Sequence, residues 1–125
     1  KLFQTHYTPN VLSIFILHKL TQFLPNLTAI HTQTMEKANR LSEFCSTQKG
    51  LDFLIDNPAL RLPTVLALKG NPSDIQVVKN RCLQNQIELG NGYGIWKENT
   101  VRIANFPSHT SADFDQLFNT LGHGL

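Results

Sequence analysis

The 125 residues include 41% hydrophobic and 16% charged side chains at a formal net charge of +2. That balance suits one globular domain with a lightly charged surface, part of it covered by another domain or subunit, and it excludes a disordered chain. The eleven basic residues are scattered, without the clustering or aromatic interleaving of a nucleic-acid footprint.

Cys45 and Cys82 lack CxxC spacing, which excludes a metal or redox motif and leaves buried free thiols. Thr8-Pro9-Asn10 reads as a helix start, Thr8 capping and Pro9 in the first turn. The helix is predicted from Pro9 to Phe23. Its apolar residues, among them Ile14, Phe15 and Leu17, surround most of the circumference, so it is expected to be buried or to lie in a subunit interface. The run Val11 to Leu17 is too short to cross a bilayer and carries no cleavage site, so the chain reads as cytoplasmic, with no membrane role.

Pro25-Asn26 breaks that helix, and a second is predicted from Asn26 to Gln48 with Gly50 as terminator. Leu51 to Ile55 is read as a helical turn and Thr64 to Leu68 as a buried strand. Ser73 is expected to cap a helix whose apolar face is Ile75, Val78, Cys82 and Leu83, followed by a short strand at Ile87 to Leu89. Thr100 to Ala104 gives a third strand, and His109-Thr110-Ser111 opens a last helix striped by Phe114, Leu117, Phe118 and Leu121. The fold class is therefore α+β: two N-terminal helices, then a small three-stranded sheet packed with helices. The third strand is expected between the other two and antiparallel to both.

Between the last two strands lies GNGYG, residues 90–94, whose glycines allow positive φ and close approach of main chain to a neighbour. Arg102 stands in an otherwise apolar strand. Its planar fork suits a carboxylate or phosphate, yet spacing alone leaves a solvated arginine on the polar face equally open.

The run NGYGIWKENTVRIANFP resembles the C-terminal domain of class V, fold-type I enzymes dependent on pyridoxal phosphate (PLP), the group of phosphoserine and alanine–glyoxylate aminotransferases. THYTPNVLSIFILHKL resembles a segment lying after the Schiff-base lysine in that family, so the resemblance covers nearly the whole chain. It implies a division into residues 1–25, the end of a large PLP-binding domain; 26–50, a bridging helix; and 51–125, the small C-terminal domain. It also implies a cytoplasmic homodimer with PLP as cofactor, moving an amino group between a small amino acid and a 2-oxo acid.

By the resemblance Arg102 binds the substrate carboxylate; Tyr93, an aromatic beside glycines, is read as lining the substrate mouth, with loop packing equally open. Thr8, with Tyr7 and His6 beside it, falls where the family contacts the cofactor phosphate of the neighbouring subunit. No lysine here stands in the family's Schiff-base context, so no catalytic residue and no metal ligand is expected in this chain, and on its own it should be inactive. Phosphoserine aminotransferases usually carry a His-Arg pair in the glycine-rich loop, where this chain has Asn91-Gly92-Tyr93-Gly94; phosphoserine as substrate is therefore open against serine or alanine. Two other readings stand beside this one: a small non-catalytic α+β module binding a ligand or partner, and a cysteine desulfurase or lyase-like PLP enzyme, which would need a catalytic cysteine.

Overall fold

The computed structural model describes residues 7–48 and 50–122. Helices α1 (Val11–Phe23) and α2 (Leu27–Thr47) come first, then strand β1 (Asp52–Phe53), a 3-10 turn (Pro58–Leu60) and β2 (Val65–Lys69). Helix α3 (Pro72–Gln84), β3 (Gly90–Asn91), a second 3-10 turn (Gly94–Trp96), β4 (Thr100–Ala104) and α4 (Ser111–Leu121) complete it. The strands form one antiparallel sheet in the order β1-β2-β4-β3. As expected, the strand latest in sequence lies between two others and is antiparallel to both.

The strand count is four rather than three, and two short elements differ from expectation. Leu51-Asp52-Phe53 was expected in a helical turn, but it alternates buried, exposed, buried, the period of a strand. Asp52 pairs with Lys69 and Phe53 with Leu68, which makes this segment an edge strand. The strand expected at Ile87 to Leu89 begins instead at Gly90, opposite Arg102. Ile87 and Leu89 still pack against the core, so the apolar signal was real while the ladder lay one step on.

Strand alternation sorts the sheet into two faces. Leu66, Leu68, Val101 and Ile103 point inward onto Leu41, Ile75, Val78, Cys82, Phe114 and Leu117 from α2, α3 and α4, all buried. The opposite face carries Val65, Ala67, Arg102 and Ala104, none of them buried. Both cysteines are buried free thiols. Leu83, expected on the apolar side of α3, is exposed, because Ile75, Val78 and Cys82 already fill that stripe.

Local chemistry sets the helix ends. The cap of α1 is Asn10 rather than Thr8: the helix begins at Val11, and the short Asn10 side chain accepts from the Ser13 amide. Asn26 caps α2 in the same way through the Ala29 amide. Helix α3 starts from Asn71 with Pro72 in its first turn, so Ser73 lies inside the helix and does not cap it. Thr110 and Asp113 close a reciprocal capping box on α4.

The hydrogen bonds from the Thr110 amide (2.6 Å) and hydroxyl (2.9 Å) hold the Asp113 carboxyl below the ordinary carboxylate range. Its pKa is lower folded than unfolded, so the stabilisation is complete above the unfolded value and is lost as pH falls through the folded one. Thermal melts between about pH 5 and about pH 2 should therefore fall more steeply for the native chain than for Asp113→Asn. Parallel curves would assign the acid limb to other groups.

Candidate functional site

Arg102 sits mid-strand in β4 on the face of the sheet that no helix covers, opposite Ala67 on one side and Gly90 on the other. The guanidinium folds back along β3, where a Cβ on Gly90 would make ordinary contact at 3.4 Å with the Cβ and one terminal nitrogen of Arg102. There its Nε donates to the Asn91 carbonyl at 2.6 Å, and the guanidinium carbon stands 4.2 Å from the centroid of the Tyr93 ring. Stacking and one backbone bond orient the plane, and among the described residues no carboxylate pairs with it. The two terminal nitrogens form the edge that can grip a carboxylate through parallel bonds.

The loop that holds Tyr93 is shaped by its glycines. Gly94 adopts φ of 55°, a left-handed conformation. Gly92 is needed for space: a Cβ there would come within 2.3 Å of the Trp96 carbonyl oxygen and 3.0 Å of the Thr100 Cβ. The loop thus folds down over Thr100, which is buried although it shares the outer face with Arg102. Tyr93 and Ile95 are left exposed at the rim.

The N-terminal candidates lie apart from this arrangement. Tyr7 and Thr8 are exposed ahead of α1, and His6 lies outside the described residues. Because the cap is Asn10, Thr8 stands two residues before it, and its hydroxyl does not serve the first turn. Helix α1 buries no residue at all, with Ile14, Phe15 and Leu17 each more than half exposed at 59%, 55% and 62%. The apolar surface expected to need a cover is fully open in this chain. Clefts of about 610 Å³ between α3 and α4 and about 340 Å³ beside Cys45 lie away from this loop.

Two polar residues went unnoticed in the sequence. Lys37 is buried in α2, its Nζ donating to the carbonyls of His109 (2.5 Å) and Phe106 (3.4 Å) and lying over the Phe114 ring. Burial lowers its pKa, while Asp113 works in the opposite direction. Asn105, wholly buried after β4, donates to the carbonyls of Thr34 (2.9 Å) and Pro63 (2.8 Å). A lysine amid apolar helix positions and an asparagine before Phe106-Pro107 carry no pattern that marks them as buried. The cysteines do not read as nucleophiles: desolvation, assisted by Asp52, pushes the Cys45 thiol up to about 11, and burial also raises Cys82.

Solved structures with this fold are found among PLP-family enzymes. A phosphoserine aminotransferase, SerC, from Cytophaga hutchinsonii matches 95% of this chain at 32% identity and a TM-score of 0.85. A NifS-like protein from Rickettsia africae matches 76% of the chain at 14% identity and 0.64, and the aminotransferase TlmJ from Streptoalloteichus hindustanus 72% at 14% and 0.60; these two show the fold alone. The chain spans 33%, 29% and 30% of the three proteins' own lengths. No family model and no curated protein matches. The α+β layer of helices on an antiparallel sheet is that of an aminotransferase C-terminal domain.

Proposed function

We infer that this chain, which belongs with the C-terminal part of the class V, fold-type I PLP-dependent enzymes, works within an aminotransferase. The reaction in this reading moves an amino group between a small amino acid, of phosphoserine, serine or alanine type, and a 2-oxo acid. The observation that carries it is the match to a phosphoserine aminotransferase over 95% of the chain at 32% identity. The posture of Arg102 supports it independently. A guanidinium oriented by a carbonyl and a ring, with its terminal edge unpaired among the described residues, is prepared for a planar anion such as an α-carboxylate.

In this reading Arg102 orients the amino acid by its carboxylate, and Tyr93 stiffens the guanidinium and lines the mouth. Thr8, with Tyr7 and His6, offers its hydroxyl to the cofactor phosphate from the neighbouring subunit of a cytoplasmic homodimer. The open apolar surface of α1 supports a cover by a second copy or by the remainder of the enzyme. PLP, when bound, supplies the electron sink for the chemistry at the amino acid's α-carbon. The residues here fit the anionic ends of such a site, and by the resemblance none of the chain's lysines stands in the Schiff-base context.

The chain alone is therefore expected neither to transaminate nor to form a stoichiometric covalent adduct with PLP. Borohydride reduction followed by mass spectrometry checks this. A single lysine labelled to completion would overturn the assignment, and transamination by the full-length enzyme with phosphoserine, serine or alanine as donor would support it. A free-standing binding module has no use for the wholly exposed apolar helix α1, which favours the enzyme.

A further inference from the structure

Resting on the assignment of Arg102 to the substrate carboxylate, we propose that Lys37 and Asn105 are positioning residues, which fix α2 to the end of β4 and so hold Arg102 at one distance and angle from the rest of the site. The pattern behind this is a stripe on α2. The Thr34 backbone carbonyl accepts from Asn105 where its side chain is buried, Lys37 donates to the carbonyls of His109 and Phe106, Arg40 pairs with Asp115, and Phe44 stacks on Phe118 at 5.1 Å. Steps of three and four residues keep all four on one side of the helix. Every partner lies in the stretch that follows β4 directly, and Asn105 is three residues from Arg102.

Asn105 is the tighter of the two fastenings. Its amide donates to the Thr64 carbonyl at 2.8 Å while its side chain reaches Thr34 and Pro63, so one fully buried residue ties α2, the entry to β2 and the exit of β4 together. Lys37 adds a second tie one helical turn along. A buried ammonium held by carbonyls, with no carboxylate at salt-bridge distance among the described residues, is a costly choice for a core position that an apolar side chain could fill. What it provides is direction: two of its donors find carbonyls in one register of α2 against the loop after β4, which apolar packing alone would not specify. Ahead of Thr34 such ties are missing among the described residues, Leu27 being 80% exposed. The ties thus run from Thr34 onward to the sheet that carries Arg102.

The test uses the full-length enzyme with phosphoserine, serine and alanine as amino donors. Lys37→Met keeps the aliphatic stem and removes the donors. It is expected to raise KM for the donor roughly tenfold to a hundredfold, as small misplacement of an orienting group does, with kcat and PLP affinity changed less than about twofold. Combined with Arg102→Lys, it should add little further loss, because both act through one contact. A lower melting temperature with KM unchanged, while Arg102→Lys alone is severe, would overturn the positioning role and leave the carboxylate site standing. No effect of Arg102→Lys would remove the site and this proposal with it. Should Lys37→Met not fold, hydrogen exchange on the native protein decides: amides of Ala38 to Leu41 and of Asn105 should open together across a denaturant series, and separate opening would overturn the proposal.

Discussion

Arg102→Lys in the full-length enzyme is expected to lower kcat/KM by roughly 30- to 1000-fold, equivalent to about 2–4 kcal/mol, with PLP binding and fold intact. Lysine keeps the charge and loses everything that gives it direction. The Nε bond to the Asn91 carbonyl disappears, the flat face that lies on Tyr93 is replaced by a mobile ammonium, and the two parallel terminal donors become one point charge. Stability should change little, since the residue is partly exposed on the uncovered sheet face and no buried partner is left stranded. Kinetics at substrate well below KM, with thermal melts as control, give the readout. Unchanged turnover would return Arg102 to the role of a solvated arginine on a strand.

Much of this architecture was legible because punctuation and periodicity agreed. Asn26, Gly50, Thr110 and the apolar stripes of α2 and α4 act locally, and the structure places those elements within a residue or two of expectation. Where two local signals competed, the sequence misled. Thr8-Pro9-Asn10 reads as capped by Thr8, and the structure moves the cap to Asn10, whose side chain reaches the Ser13 amide. Leu51-Asp52-Phe53-Leu54 satisfies both a helical turn and a strand over so short a span, and pairing with Lys69 and Leu68 decided it. At the site, Arg102 stood out as a charge among apolar residues, and the glycine loop beside it announced a close approach. The Asn91 carbonyl, the Tyr93 stacking and the fastenings at Lys37 and Asn105 depend on contacts across 11, 9, 72 and 71 residues of sequence, and no local pattern records those.

Gly92→Ala should be the most damaging single-methyl change in the loop, costing on the order of 2–4 kcal/mol of stability, within the range of severe overpacking and strain. The reason is space rather than dihedral angle, since the glycines described with positive φ are Gly50 and Gly94. An alanine Cβ at residue 92 would meet the Trp96 carbonyl oxygen at 2.3 Å and its carbon at 2.8 Å, both main-chain atoms, with Thr100 at 3.0 Å behind them. No rotamer relieves that clash. Either the 3-10 turn Gly94–Trp96 lifts away or the Gly92 amide leaves the Thr100 carbonyl it bonds at 3.3 Å. Both routes move Tyr93 off Arg102, so full-length Gly92→Ala should also lose kcat/KM, in contrast to Gly94→Ala. At Gly94 nothing lies within 4 Å of the added carbon, and only the cost of a left-handed alanine, about 1 kcal/mol, is expected. Chemical denaturation of both variants separates the two causes. Equal losses would mean that backbone conformation governs this loop, whereas a larger loss at Gly92 would tie its shape to the close packing beneath it.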